Sequence, residues 1–314
     1  MERERKIFLA QPHGMCAGVR RAIDAVERLL RQEGPPIHVL HEIVHNNFIV
    51  KELASRGVHF AESLDEVPSG ARLLLSAHGV GAAVEERARS ICGELVDATC
   101  PLVKRLHDAA SRCRPGEVLI LIGHRGHPEV EGILGRCGSE TVFVVENVGD
   151  VETLPELSPE TPVRLLTQTT LDTEAVREIV AALRFRHPSI AAEPSVCYAT
   201  RHRQAAVRLL AEKTKLVLVI GSSRSSNSNR LREAAENAGA RAFLIDGAGE
   251  LPEAELENAE SVGVTAGASA PETLVRQLLT ELSRRGFGPA EPVIAAEEQA
   301  IAFPPPKPQR CRQK

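Results

Sequence analysis

Apolar residues follow two rhythms along the chain. Runs such as RLLL (72–75), VLILI (118–122) and LVLVI (216–220) are near-continuous Val, Ile and Leu of strand length, the composition of parallel strands buried on both faces. Between them lie longer stretches with apolar residues three and four apart. These predict amphipathic helices, among them 81–93, 173–186 and 271–284. Strands alternating with such helices predict parallel sheets covered by helices, an α/β fold.

The pattern occurs three times. Cys16, Cys100 and Cys197 each follow an extended stretch and open a helical one, CAGVRRAIDAVERLL, CPLVKRLHDAASRCR and CYATRHRQAAVRLLA. The buried stripes match at equal offsets: Ala25, Ala109 and Ala206; Val26, Ala110 and Val207; Leu29, Cys113 and Leu210. Each helix leads to an apolar strand that ends in a polar loop, IHVLHEIVHNN (37–47), EVLILIGHRGHPE (117–129) and KLVLVIGSSRSSNSN (215–229). Short strands at 57–62, 141–147 and 241–247 follow. A third matched set, ARLLLSAHG (71–79), VRLLTQTT (163–170) and SVGVTAGAS (261–269), closes each repeat. The expectation is three small α/β domains with mainly parallel sheets, at 1–98, 99–194 and 195–286, arranged pseudo-threefold. After them 287–314 reads as a C-terminal tail, Pro-rich and basic over 303–314, either disordered or lying on the surface.

Ligands of open α/β sheets bind beyond the carboxyl ends of the strands. Chemistry-bearing residues collect there: His45 with Asn46, His127 with Glu129, and Ser225, Ser226 and Asn227 on the first loops, then His78, Thr169 and Ser269 on the later ones. Imidazoles, hydroxyls and an amide beside helix N-termini can wrap a phosphate or diphosphate, although Ser and Asn in such loops also serve as ordinary helix caps. A partly desolvated Glu129 can hold a proton near neutral pH as a general acid, whereas a solvated first-turn Glu would only complement the helix dipole. Glu131 turns away.

The three repeat-matched cysteines sit at helix starts, which favours thiolates. They lack the close spacing of a structural zinc site, and three thiolates around an axis suit an iron–sulfur cluster better. Three ligands on a [4Fe–4S] cube leave one iron open. The other reading is that they merely pack, as buried cysteines commonly do. Basic residues follow each cysteine, Arg20/Arg21, Lys104/Arg105 and Arg201/His202, and either offset an anionic ligand or extend to solvent.

Composition then narrows the partners. A net charge of −4 gives no broad basic field, and 3% aromatic content without Trp leaves little for base stacking, so nucleic acid is excluded and a small molecule favoured. No apolar run reaches membrane-spanning length. Seven cysteines without a CxxC pair, and a first motif that begins near the start of the chain without room for a transit segment, predict a reducing, bacterial-type cytoplasm. No G-x-G-x-x-G fingerprint is present for a flavin or nicotinamide, so electrons would come from a partner protein.

Ten ordered motifs carry a resemblance over about residues 6–285: PHGMCAGVRRAI, HEIVHN, SAHGV, DATCPLV, GHRGHPEVEG, TQTTL, CYAT, GSSRSSNSNRL, AFLID and GVTAGASAP. Together they resemble the 4-hydroxy-3-methylbut-2-enyl diphosphate reductases, oxidoreductases of isoprene biosynthesis by the methylerythritol phosphate route. The resemblance implies three α/β domains around a central [4Fe–4S] cluster on Cys16, Cys100 and Cys197, with the substrate hydroxyl on the open iron. It implies reductive loss of that hydroxyl as water to give isopentenyl and dimethylallyl diphosphate, with a ferredoxin or flavodoxin as electron donor. By motif position His45, His78, His127, Ser225, Ser226, Asn227 and Ser269 would hold the diphosphate. Glu129 would deliver protons, with His127 alongside it, and Thr169 would both touch the substrate hydroxyl and relay the proton. Two departures stand out: Arg201 and His202 where the family commonly has Thr-Asn, and His13 and Met15 in a motif that often reads PRGFC. They bear on the electrostatics around the cluster. Two other functions fit less of the pattern. A non-redox iron–sulfur dehydratase resembling quinolinate synthase would call for Arg or Lys forks at the strand tips, and an iron–sulfur sensor or phosphate-binding module would leave HPEVEG without a use.

Overall fold

The computed structural model describes residues 5–188, 190, 196–298 and 301–311. In chain order the elements are β1 Arg5–Gln11, α1 Ala17–Glu33, β2 Ile37–Leu40, α2 Asn47–Ser55, β3 Val58–Ala61, β4 Arg72–Leu75, α3 Ala82–Ile91, β5 Glu94–Asp97 and α4 Pro101–Ser111. They continue with β6 Val118–Ile122, α5 Pro128–Leu134, β7 Thr141–Val145, α6 Val148–Glu152, β8 Val163–Thr167, α7 Thr173–Arg186 and α8 Tyr198–Lys213. The last are β9 Leu216–Ile220, α9 Ser226–Asn237, β10 Arg241–Ile245, α10 Glu253–Glu257, β11 Ser261–Ala266, α11 Glu272–Arg284, β12 Phe287–Ile294 and β13 Pro308–Arg310. The extended stretch expected before Cys197 falls largely on 191–195, outside the described residues.

The chain divides into two compact units. One comprises Met1–Val19, His45–Glu52 and Tyr198–Ala302 and carries a five-stranded parallel sheet in the order β10-β9-β11-β1-β12. Alternation along β9 shows why it is buried on both faces. Leu216, Leu218 and Ile220 pack with Val275, Leu278 and Leu282 of α11, while Val217 and Val219 pack with Ala206, Val207 and Leu210 of α8 and Leu231 of α9. Each such side chain stabilises the fold by about 1.5–3 kcal/mol relative to exposure. Although β1 leads directly into Cys16, it pairs with β11 and β12, strands from the other end of the chain.

The second unit comprises Arg20–Val44, Leu53–Cys197 and Phe303–Lys314 and holds two sheets. One runs β13-β5-β4-β2-β3, parallel except for β13, and the other runs β7-β6-β8, all parallel. Within β6, Val118, Ile120 and Ile122 face Val176, Ile179 and Leu183 of α7, and Leu119 and Leu121 face Leu106 of α4 and Val130 and Ile133 of α5. Asp172 caps α7 through the N–H groups of Glu174 and Ala175, so that helix spans the residues expected of it.

Residues 287–298 and 301–311 carry more regular structure than the tail reading suggests. β12 pairs with β1 on the edge of its sheet, where Pro289 and Pro292 are tolerated. The Pro-rich stretch lies on the surface, its carbonyls accepting from Arg21 at Pro304 (2.8 Å) and Arg28 at Pro306 (2.6 Å), and ends in β13 on β5.

Candidate active site

Both units place their polar residues just beyond the carboxyl ends of parallel strands, and all three repeat-matched cysteines stand at helix starts. Cys16 precedes α1, Cys100 is the N-cap of α4 with Pro101 behind it, and Cys197 precedes α8. All are unbridged thiols, half-buried.

In the second unit the loops after β4, β6 and β8 carry His78, His127 with Glu129, and Thr169. His127 is the N-cap of α5, its Nδ1 accepting from the Glu129 N–H at 3.1 Å, so a neutral ring carries its proton on Nε2. The His78 ring lies edge-on to His127 with centroids 5.9 Å apart, and His78 Nδ1 is 3.3 Å from Ser76 Oγ. Pro128 starts α5, whose buried face is Glu129, Val130, Gly132 and Ile133, while Glu131 turns outward. The helix thereby drives one carboxyl into the protein. Glu129 is 2% exposed, and Thr169 holds both its oxygens: the backbone N–H donates to Oε1 at 2.7 Å and the hydroxyl to Oε2 at 2.8 Å. Burial penalises the carboxylate more than these two bonds favour it, and the group is pushed up from 4.5 to about 7.

Backbone hydrogen bonds attach two cysteines to these loops. The Cys197 N–H donates to the Thr169 carbonyl at 3.1 Å, and the Cys100 N–H to the Ala77 carbonyl at 3.0 Å, next to His78. Gln168, fully buried, ties two loops together by accepting from the His124 N–H (2.9 Å) and donating to Thr170 Oγ1 (3.1 Å). Among the basic residues after the cysteines, Lys104 folds back onto Asp97 (2.5 Å) and Arg21 donates to the Thr99 carbonyl (3.0 Å), whereas Arg20, Arg105 and Arg201 are exposed.

In the first unit the loops after β1, β9 and β11 meet. Gly14 and Cys16 donate from their N–H groups to the carbonyls of Ala266 (2.9 Å) and Ala268 (3.1 Å), and the Val19 N–H points at Cys16 Sγ at 3.5 Å, so the sulfur occupies a cap position on α1. Gly14 has φ +68°, left-handed backbone that disfavours any side chain. Ser269 Oγ donates to the His45 carbonyl at 3.0 Å, and Asn46, buried, accepts from the Ile49 N–H at 3.0 Å at the start of α2. Ser225 is the N-cap of α9 and accepts from the Ser228 N–H (3.3 Å) and hydroxyl (3.0 Å). A Cβ on Gly267 would come within 2.1 Å of Ser228 Oγ, so only glycine lets the two loops approach.

Asn227 stands apart. It is 4% exposed, yet neither its amide nitrogen nor its amide oxygen has a hydrogen-bond partner among the described residues. An unpartnered buried amide is costly, and both its polar atoms can take a partner from solvent or from a ligand.

The first unit thus gathers Cys16, His45, Ser225, Ser226, Asn227 and Ser269, and the second gathers Cys100, Cys197, His78, His127, Glu129 and Thr169. Sequence reading passed over Gln168 and Arg203. Arg203 is 1% exposed and donates to the carbonyls of Gly14 and Ala199 (3.0 Å each) and to Glu298 (2.7 Å), bracing the loop before Cys16. The only local signal for Gln168 is a long polar residue at the end of an apolar strand. For Arg203 there is none.

Comparison with known proteins shows the family to which the chain belongs. The family model described as LytB protein matches residues 7–283. The 4-hydroxy-3-methylbut-2-enyl diphosphate reductase of Bordetella pertussis is 47% identical over 306 residues, 96% of this chain and 93% of that one. The enzyme of the same name from Klebsiella pneumoniae is 48% identical over 307 residues, 96% of each. Among solved structures, the E-1-hydroxy-2-methyl-but-2-enyl-4-diphosphate reductase from Plasmodium falciparum superposes with a TM-score of 0.89 at 33% identity, covering 96% of both chains. A second solved reductase, the terminal enzyme of the non-mevalonate pathway, gives a TM-score of 0.63 at 30% identity over 89% of this chain and 99% of that one. The chain therefore belongs to the LytB protein family, the 4-hydroxy-3-methylbut-2-enyl diphosphate reductases.

Proposed function

We propose that the protein reduces 4-hydroxy-3-methylbut-2-enyl diphosphate to isopentenyl and dimethylallyl diphosphate, the last step of the methylerythritol phosphate route. The observation that carries the reading is the buried Glu129–Thr169 pair, a carboxyl held near neutrality in a chain 47% identical to reductases of that name.

Cys16, Cys100 and Cys197 would hold a [4Fe–4S] cluster. The donor set fits: three unbridged, half-buried thiols at helix starts, where the positive end of each helix favours thiolate. Among the described residues no three His, Cys, Asp or Glu side chains stand at the spacing of a single metal ion, but a cluster distributes its thiolates over separate irons. When bound, the cluster would supply electrons and a Lewis-acidic iron for loss of the hydroxyl.

The chain's own residues do the rest. The Asn227 amide, the Ser225, Ser226 and Ser269 hydroxyls and the His45, His78 and His127 imidazoles would bind the diphosphate, and N–H groups opening α9 would add to its charge stabilisation. That anchor orients a small flexible chain, which saves the entropy of aligning it. Glu129 would hold the proton at Oε2 and give it up. Because the Thr169 hydroxyl both donates and accepts, its contact with Oε2 survives in either protonation state, so Thr169 can relay the proton while touching the substrate hydroxyl. Electrons would come from a ferredoxin or flavodoxin. A reducing cytoplasm suits the unbridged thiols, and no helix among the described residues is long and apolar enough to cross a membrane.

The test is anaerobic purification, iron and sulfide analysis, and addition of the hydroxymethylbutenyl diphosphate with dithionite and a viologen mediator. Cluster content with formation of both diphosphate products is expected. A reconstituted cluster without turnover would overturn the assigned reaction, and failure to assemble a cluster would overturn the cysteine assignment.

A further inference from the structure

Cys92 and Cys311 lie outside the matched cysteine trio and outside the candidate site. Cys92 follows α3 with no solvent exposure, packed in the cluster of Leu73, Leu75, Ala88 and Leu95. Cys311 follows β13 and is half-buried against the same cluster. Antiparallel pairing sets Gln309 opposite Leu95 and Arg310 opposite Glu94, and the Cys311 N–H donates to the Gly93 carbonyl at 3.0 Å. Residues 219 apart in sequence are thereby brought together with their Sγ atoms 2.8 Å from each other. A disulfide bond is about 2.05 Å long, so closing it requires only a short approach of two side chains.

The surroundings separate the two thiols. Burial, followed by contact with Cys311, pushes the Cys92 thiol up to about 12, so it stays protonated and inert toward solvent oxidants. Cys311 is the accessible partner. Arg89 donates to Gln309 Oε1 at 2.5 Å, which brings its guanidinium to the segment that carries Cys311. A cation beside a reachable sulfur and a buried thiol behind it make a pair with distinct attacking and resolving members.

We propose that Cys92 and Cys311 are a modification site, forming a reversible disulfide in the presence of a low-molecular-weight disulfide. The Cys311 thiolate attacks the small disulfide, giving a mixed disulfide and releasing one small thiol. Cys92 then attacks the Cys311 sulfur, loses its proton to the departing thiolate and releases the second small thiol. Two electrons pass from the two cysteines to the small disulfide, which leaves as two thiols. The new bond fastens β13 to the turn between α3 and β5. Since β5 runs through Asp97 to Cys100, oxidation stiffens the strand that leads into that residue. Nothing in this proposal depends on the reaction assigned above.

The experiment uses the full chain, kept anaerobic and treated with oxidised glutathione, then alkylated in denaturant and digested with trypsin and a glutamate-specific protease. Cleavage after Glu94 separates Cys92 from Cys100. The expected product is the Ser90–Glu94 peptide disulfide-linked to the peptide that begins at Cys311. It should carry the majority of both cysteines, disappear with dithiothreitol and be absent in Cys311→Ser, and the oxidised protein should melt at higher temperature than the reduced one. Because Cys311 is half-exposed, its replacement disturbs packing less than a change at Cys92 and tests the idea by itself. Full alkylation of Cys92 and Cys311 after treatment would overturn the proposal. A stable glutathione adduct on Cys311 without the linked peptide would overturn it equally, because Cys92 would then not act as resolving thiol.

Discussion

Replacing Glu129 by Gln tests the acid–base reading most directly, because the exchange keeps shape and removes only the ability to ionise. Raising the carboxyl from 4.5 to about 7, at about 1.4 kcal/mol per pH unit, means that ionising it in the folded protein costs roughly 3 kcal/mol more than in the unfolded chain. The folded value lies above the unfolded one, so the folded protein holds this proton more tightly. The stabilisation linked to it is complete below 4.5, declines as pH rises toward 7, and is gone above that. Gln has no such dependence. Its carbonyl can accept from the Thr169 N–H and its amide can donate to Thr169 Oγ1, so the two contacts at 2.7 and 2.8 Å have replacements. Glu129→Gln should therefore gain in melting temperature over the parent between pH 6 and 8, with holoenzyme compared at each pH.

The kinetic signature is separate. If protonated Glu129 supplies the proton, the parent rate falls about tenfold per pH unit above 7, while the variant loses on the order of 10²–10⁴ in turnover and becomes flat with pH. Steady-state rates with dithionite and a viologen, from pH 6 to 9, read both features. Infrared difference spectra between pH 6 and 8 should show a protonated carboxyl band vanishing in the parent and missing from the variant. A variant that retains the parent's pH profile, or a parent without that band, would refute the argument, since the first removes the role and the second removes the perturbed group.

Cys16→Ser, Cys100→Ser and Cys197→Ser should each lose iron and activity, while Cys92→Ser, Cys113→Ser and Cys137→Ser keep both; equal iron across the six variants defeats the ligand assignment. Asn227→Ala breaks no hydrogen bond within the described residues and removes an unpartnered buried amide, so the variant should be at least as stable as the parent. Its affinity for inorganic diphosphate should nevertheless fall roughly 10- to 100-fold by calorimetry, the worth of one bond to a charged group; unchanged affinity removes it from the site. Gly267→Ala places a Cβ 2.1 Å from Ser228 Oγ and should cost about 1–3 kcal/mol in urea denaturation, with part of the loss recovered by adding Ser228→Ala. Absence of recovery would mean that the strain lies elsewhere.

Much of the fold was legible because its signals are local. A run such as LVLVI is buried on both faces of a parallel sheet, and the helix over 173–186 carries its own cap at Asp172, so periodicity and capping find both without knowledge of the rest. The candidate site was legible for a related reason. Its side chains stand at strand ends, where a polar cluster interrupts an apolar run, and the three cysteines share their position at helix starts. Sheet membership is different in kind. The residues RKIFLAQ announce a strand, but nothing within them says that β1 inserts between β11 and β12; that choice is made by backbone hydrogen bonds to residues more than 250 positions away. β12 was hidden because an edge strand is paired on one side only. Its exposed positions admit Pro289, Pro292 and Glu291, which erase the alternation that marks a buried strand.

Arg203 shows the same limit at the level of one side chain. Within CYATRHRQ it reads as another polar residue on a helix surface, and a fully buried guanidinium is costly unless its donors are met. They are met by the Gly14 carbonyl before Cys16, by its own helix at Ala199, and by Glu298, which lies in the 287–314 segment expected to be a tail. The segment after α11 is therefore part of what holds the Cys16 loop. A truncation at 287 would remove β12 from β1 and also leave the Arg203 charge buried without its carboxylate, which by itself costs about 3–5 kcal/mol by the measure of broken buried pairs. Residues that bear chemistry announce themselves by type and position, whereas those that hold them in place are identified only by distant partners, which periodicity does not report.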